Sequence, residues 1–213
     1  MLHIELKAAS PSEQSMSHYY SKKPKAASSR TLVELKLVGV LVRYVTDRGV
    51  FSREKVDRGS LLLIKSVDAS NAQVLLDVGC GYGAIGIALA KLYPRLRVVM
   101  TDINRRAVQL ARENIKLNSL GNAEVRLGNL YEPVKDEKFD IIVSNPPIRA
   151  GWRVVFPIID EAPAHLNHGG CLYIVAKTKQ GAPTLEKRMR EVFGNCAIIA
   201  RRGGYRVLRS VLS

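Results

Sequence analysis

Val74-Leu-Leu-Asp-Val-Gly-Cys-Gly-Tyr-Gly83 is the stretch that decides the fold. Val74, Leu75 and Leu76 are a short apolar run of the kind that forms a strand buried on both faces. Asp77 closes that run, and glycines follow at alternating positions, Gly79, Gly81 and Gly83. Glycine lets the backbone turn tightly there and lets a ligand approach it without a Cβ in the way. The spacing then predicts a helix over 84–92, with Ile85, Leu89 and Leu92 on one face and Pro94 just past its end. Strand, glycine loop and helix make the first unit of a nucleotide-binding α/β sheet.

The position of the acid separates two ligand classes. A dinucleotide loop reads G-x-G-x-x-G and receives a pyrophosphate at the helix N-terminus. Here the order is Asp-x-Gly-x-Gly-x-Gly, with the acid ahead of the first glycine. A carboxylate at that place suits a ligand with positive charge better than one with phosphates. The pattern resembles the first motif of the S-adenosylmethionine-dependent methyltransferases, whose cofactor carries a sulfonium and an ammonium. That resemblance implies that Asp77, Gly79, Cys80, Gly81 and Tyr82 form part of a cofactor pocket.

Moving outward, residues 96–100 form a second strand that ends at Asp102, 23 residues past Gly79. That separation is near the one expected of an acid that reaches ribose hydroxyls. A carboxylate can accept from both hydroxyls of a diol. Ile103 belongs to the same turn. Asn104 is placed to cap a helix running to about Leu117, with Ala107, Val108, Ala111 and Ile115 inward. A third strand over 124–127 leads to Asn129 and Leu130, where the resemblance implies a contact near the adenine amino group.

A fourth strand, 139–143, feeds Asn145-Pro146-Pro147-Ile148. In a doubly wound sheet the first and fourth strands flank the switch point, so the glycine and proline loops should face each other across one cleft. Pro146 excludes Asn145 from the α region, and the double proline stiffens the turn. Asn145 then offers a fixed amide oxygen, and the Pro146 carbonyl is expected to have no local partner. Two such acceptors hold both hydrogens of an exocyclic NH2 and aim its lone pair at an electrophile.

The order of motifs resembles the amino-group methyltransferases that act on nucleic-acid bases or glutamine amides. Asn145-Pro-Pro-Ile-Arg-Ala-Gly151 is most similar to a subgroup related to small-subunit ribosomal RNA guanine-N2 methyltransferases, including short single-domain archaeal-type proteins. The similarity extends to His18-Tyr-Tyr-Ser21, Gly49-Val-Phe-Ser52, Thr178-Lys-Gln-Gly181, Val192-Phe-Gly-Asn195 and Gly203-Gly-Tyr-Arg-Val207. It implies the reaction, transfer of a methyl group from S-adenosylmethionine to guanine N2 of 16S RNA. It places Asn145, Pro146, Pro147 and Ile148 at the reacting centre. The family's fourth motif residue is an aromatic that stacks on the target, and here it is Ile148. Tyr20, Phe51 and Trp152 are the candidates to replace it, each with core packing as its other reading.

The rest of the chain fits one α/β domain of 213 residues. We expect a polar arm over 1–17, a cap segment over 18–60 lying on the cofactor cleft, and the catalytic domain over 61–213. In the cap, strands over 31–37 and 40–46 break near Gly39, and the catalytic domain opens with an apolar helix over about 61–67. After the proline motif a helix is expected over 151–166, closed by Asn167-His168-Gly169-Gly170. His165 and His168 read there as helix-end residues. A strand over 171–176, a helix over 184–192 and a closing hairpin over 197–200 and 205–208, with one strand antiparallel, complete the seven-stranded sheet.

Cys80, Cys171 and Cys196 have no metal-type spacing, and an odd count without a framework fits a reducing cytoplasm. No apolar run approaches the roughly 20 residues that span a bilayer, and the first residues lack a signal pattern. The net charge is +14, unevenly spread. Residues 1–65 carry +6 and residues 177–213 carry +7, while 66–176 carry only +1. A near-neutral core with basic flanks favours a polyanion, RNA above all. Arg149, Arg153, Lys177, Lys179, Arg201 and Arg202 are the candidate phosphate contacts. Two other classes stay open: a protein glutamine-N5 methyltransferase, and a non-catalytic RNA-binding or ribosome-assembly factor.

Overall fold

The computed structural model describes residues 30–47 and 55–213. The expectations that fall on 1–29 and 48–54, with Tyr20 and Phe51 among them, lie outside the described residues. Strands β1 (Thr31–Leu37) and β2 (Val40–Thr46) pair antiparallel, and helix α1 (Arg58–Ser66) follows. Then come β3 (Val74–Val78), α2 (Ala84–Leu92), β4 (Arg97–Asp102), α3 (Arg105–Leu117), β5 (Ala123–Leu127) and β6 (Phe139–Ser144). The chain ends with α4 (Trp152–Asp160), α5 (Ala162–His165), β7 (Leu166–Lys177), α6 (Ala182–Phe193), β8 (Ala197–Arg202) and β9 (Tyr205–Val211).

Seven strands form one sheet in the order β5-β4-β3-β6-β7-β9-β8. Only β9 runs against its neighbours, as the closing hairpin led us to expect. Alternate residues of each strand supply two separate cores. Leu75, Val98 and Val143 pack beneath α1, α2 and α3, while Leu76, Val99 and Ile142 pack beneath α4 and α6. Burial on both faces is why these strands read as continuous apolar runs.

Two elements depart from the sequence expectation. Helix α1 starts at Arg58, because Asp57 caps it, accepting from the backbone N–H groups of Gly59 and Ser60. The expected single helix over 151–166 is broken. Glu161 N–H closes α4 on the Pro157 carbonyl, and Pro163 has no N–H with which to continue the ladder. Strand β7 then begins at Leu166, opposite Phe139. The 167–170 segment bulges out before pairing resumes at Cys171 opposite Ile141.

The β1–β2 hairpin also sits elsewhere than expected. It packs on α2 and α3, and none of residues 30–47 lines the cleft described below. Two asparagines one turn apart, Asn114 on α3 and Asn118 just past its end, act as a substitute strand for β2. Asn114 pairs with both backbone groups of Val45 (2.7 and 3.0 Å), and Asn118 with both of Arg43 (3.0 and 2.6 Å). The Tyr44 hydroxyl donates to the Ala84 carbonyl, and its ring meets Tyr82 edge-on. The hairpin therefore supports the glycine loop from behind.

Candidate functional site

The cleft opens at the carboxyl ends of β3, β4 and β6. Its first wall is backbone. Gly79 and Cys80 both donate to the Thr101 carbonyl (2.9 and 3.0 Å), which ties the glycine loop to β4. Gly79 has a φ of 71° and lines the cleft, and a Cβ there would meet no atom within 4 Å. Gly86 serves packing instead, since a Cβ would lie 2.7 Å from Met100 and hold α2 off the sheet.

Asp102 forms the cleft's carboxylate. Its Oδ2 accepts from Gly81 N–H and its Oδ1 from Asn104 N–H, each at 2.8 Å. Those bonds orient both oxygens. Burial raises the carboxyl's pKa, and the N–H groups of Asn104, Gly81 and Ile103 oppose that rise. Ile103, Asn129 and Leu130 line the same end, with Leu130 held at a φ of 46°. A non-glycine residue kept in that conformation is strained, and such strain gathers at ligand clamps.

Asp77 is placed differently from its sequence reading. It is fully buried and does not line the cleft. Its Oδ2 accepts from Gly86 N–H at 2.9 Å, pinning the first turn of α2, while Oδ1 has no partner. Burial pushes its pKa up to about 7, against the pull of the Gly86 N–H, and nearby Asp102 adds to the rise. It shapes the loop from behind. Cys80 and Tyr82 do line the cleft. Burial raises the pKa of the Cys80 thiol far above its usual value. The buried Tyr82 hydroxyl has no partner, and its pKa is raised first by burial and then by Asp57.

Facing this wall is the proline turn. Asn145 Nδ2 donates to Asp57 Oδ2 (3.0 Å) and to Ser60 Oγ (2.9 Å), both from the start of α1. A carboxylate cannot donate, so the amide nitrogen must face Asp57, and Oδ1 is the acceptor left for the cleft. The Pro146 carbonyl is not without a local partner. Pro147 at φ −77°, ψ 76° makes an inverse γ-turn in which Ile148 N–H donates to Pro146 O at 2.9 Å. One of its two lone pairs is used, and one remains.

Ile148 leaves the cleft altogether. It packs with Trp152 over Gly181, where a Cβ would lie 2.5 Å from the indole. Trp152 in turn stacks on Phe156 with centroids 5.2 Å apart, so packing is what the structure shows for it. The apolar wall comes from Pro147 and, one turn apart on α4, Val154 and Ile158. Neither of these nor Asp57 and Ser60 was singled out from sequence. Asp57 caps α1, a role that shows only in the structure.

Arg149, Arg153, Lys177, Lys179, Arg201 and Arg202 are all exposed. Register sets Lys177 opposite Tyr205 and Tyr205 opposite Arg202, so these stand together at the cleft end of the sheet. Lys177 Nζ lies 5.5 Å from the Tyr205 ring centroid. His165 is buried and stacks on Tyr131 at 4.5 Å. Among the described residues no cluster of three or more His, Cys, Asp or Glu is placed to hold a metal.

The family Methyltransferase small domain matches residues 42–209. An uncharacterised Bacillus subtilis (strain 168) protein, YbxB, is 37% identical over 195 residues, 91% of this chain and 97% of that one. Ribosomal RNA small subunit methyltransferase C of Salmonella newport (strain SL254) is 35% identical over 196 residues, 90% of this chain but 55% of the relative. A T. thermophilus 16S rRNA N2 methyltransferase, solved with AdoMet and guanosine, superposes with a TM-score of 0.77 at 25% identity, covering 90% of this chain and 52% of that one. The chain thus spans about half the length of these two methyltransferases. It belongs to the methyltransferase small domain family.

Proposed function

We propose that this methyltransferase small domain transfers a methyl group from S-adenosylmethionine to an exocyclic nitrogen of RNA, guanine N2 of the small ribosomal subunit being the favoured acceptor. The observation that carries the reading is the meeting of Asn145 and Asp102 in one cleft, with the glycine loop between them. The residues suit the cofactor. Gly79 leaves room for a ligand against the backbone, Asp102 has two oriented oxygens that would meet a ribose diol, and Ile103, Asn129 and Leu130 would frame an adenine. The sulfonium supplies an electrophilic methyl group.

The chain's own residues then prepare the nucleophile. A base amine is planar, with its lone pair drawn into the ring. Asn145 Oδ1 and the remaining lone pair of Pro146 O accept its two hydrogens and fix its plane. The nitrogen lone pair then points along the line of displacement. The amine would need no prior deprotonation: its N–C bond would form as the S–C bond breaks with the electron pair left on sulfur, and the surplus proton would then pass to solvent. Val154, Ile158 and Pro147 keep water from the methyl group. A target inside a helix must leave its stack to reach this turn.

The exposed Lys177, Arg201 and Arg202 support RNA as the acceptor. A ribosomal RNA acceptor would place the reaction in the cytoplasm. No helix among the described residues is long and apolar enough to cross a membrane. The test is radiolabelled methyl transfer to deproteinised RNA and, separately, to total protein from a strain lacking this gene. Label in N2-methylguanosine of small-subunit RNA is the expected result. Label in glutamine instead replaces RNA with a protein amide. Label in neither, with cofactor bound, leaves a non-catalytic role or a partly assembled particle as substrate.

A further inference from the structure

Asp57 does more than a helix cap requires. Its Oδ1 serves the Gly59 N–H at 2.7 Å. Its Oδ2 takes the Ser60 N–H, the Ser60 hydroxyl and the Asn145 amide, so the carboxylate is the hub of a network that ends in the cleft. The hub itself is held. Gly59 is buried so closely under Tyr205 that a Cβ would lie 2.7 Å from the ring, which fixes the start of α1 against β9. A primary amide has two nearly isosteric orientations, and only one presents oxygen to the cleft. The other would place Oδ1 against the Asp57 carboxylate and turn an NH2 toward the incoming amine, donor against donor.

We propose that Asp57 and Ser60 are positioning residues that set the polarity of Asn145, so that the cleft accepts an amino group and rejects an acceptor that offers only oxygen. The inference rests on the proposed amine methylation. The reach is long in sequence, 88 residues from Asp57 to Asn145 and 85 from Ser60, and short in space.

A reversal of the network tests it, with three variants: Asn145→Asp, Asp57→Asn and the two combined. Asn145→Asp sets two carboxylates against each other and lowers kcat at least about 100-fold. Asp57→Asn retains an oxygen for the Gly59 N–H but presents an NH2 to Asn145, and lowers kcat about 10-fold or more. Combined, the new amide at 57 and the Ser60 hydroxyl donate to the new carboxylate at 145, whose outer oxygen is again an acceptor. The combined variant is therefore expected to turn over faster than either single one. One that is no faster than the better single variant overturns the proposal.

Ser60→Ala is a second probe that leaves the Asp57 cap in place. It is expected to lower kcat several-fold with cofactor Kd and melting temperature unchanged, and an unchanged kcat counts against the proposal. The acceptor is RNA that the wild-type protein labels. If the wild type labels no RNA, the RNA reading fails, and the same variants are run on the acceptor it does label. The two failures are thus separate.

Discussion

The two walls of the cleft are made of different material. The side proposed to hold the cofactor is built on backbone: the glycine loop pinned to Thr101, with Asp102 one strand away and oriented by backbone N–H groups. The acceptor side is made of side chains and a proline turn, and its central amide is held by a helix cap 88 residues earlier in the chain. A wall of backbone is specified by a local motif and tolerates most side chains around it. A wall of side chains depends on distant segments meeting correctly, so one substitution removes its function without disturbing the fold.

Four experiments break or sharpen that contrast. The largest effect belongs to the acceptor wall. Asn145→Ala should lower kcat by about 10² to 10³ while cofactor affinity changes little, as found when one preorganised polar contact to the reacting group is deleted. Calorimetry beside a methyl-transfer assay reads both quantities, and an active variant would remove Asn145 from the reacting centre.

Asp77 comes next, because it lies behind the backbone wall. Its folded-state pKa is raised to about 7 from 3.8, so the folded protein binds this proton more tightly than the unfolded chain. The stability it contributes is fully present below about pH 4 and is lost as pH rises through 7. Asp77→Asn keeps an oxygen for Gly86 N–H and has no such loss. The variant's melting temperature should gain on the wild type's across pH 4 to 7, by the equivalent of about 3 kcal/mol. Parallel curves would place the carboxylate in a better-solvated position than the structure does.

Asp102→Ala tests the side-chain contribution to the backbone wall. Loss of two charged acceptors for the ribose diol should weaken cofactor binding about 10- to 100-fold, with kcat at saturation nearly kept. An unchanged Kd would assign the diol elsewhere. The smallest effect is at the rim. Arg201→Ala should weaken RNA binding several-fold and reduce its salt slope by about 0.7, the value for one phosphate of a single strand. Cofactor binding should stay insensitive to salt, because no phosphate enters that wall.

What could be read from the chain follows the same division. The glycine loop, α2 and the cap of α3 by Asn104 lie where expected, because each is set by residues within a few positions of one another. Ile148 did not follow its motif position, since the space over Gly181 was filled by Trp152 and left the isoleucine a packing site outside the cleft. The Pro146 carbonyl found a partner two residues on because Pro147 sits in a γ-turn, a backbone state that the Pro-Pro pair allows but does not demand. The single helix expected over 151–166 failed at Pro163, whose missing N–H outweighed the apolar periodicity around it.

The sequence alone determined the doubly wound class, the place of the glycine loop and the acid at the end of the next strand. Each rests on short-range rules: buried strands are apolar throughout, glycine permits positive φ, and an acid at a strand end meets the next loop. Only the tertiary structure decided that Asp77 stays behind the loop, that the β1–β2 hairpin supports the cleft from outside, and that Asp57 and Ser60 orient Asn145. These are contacts between segments far apart in the chain. Their geometry is settled by which helix start fits against which strand end, and no local pattern of residues encodes that distance.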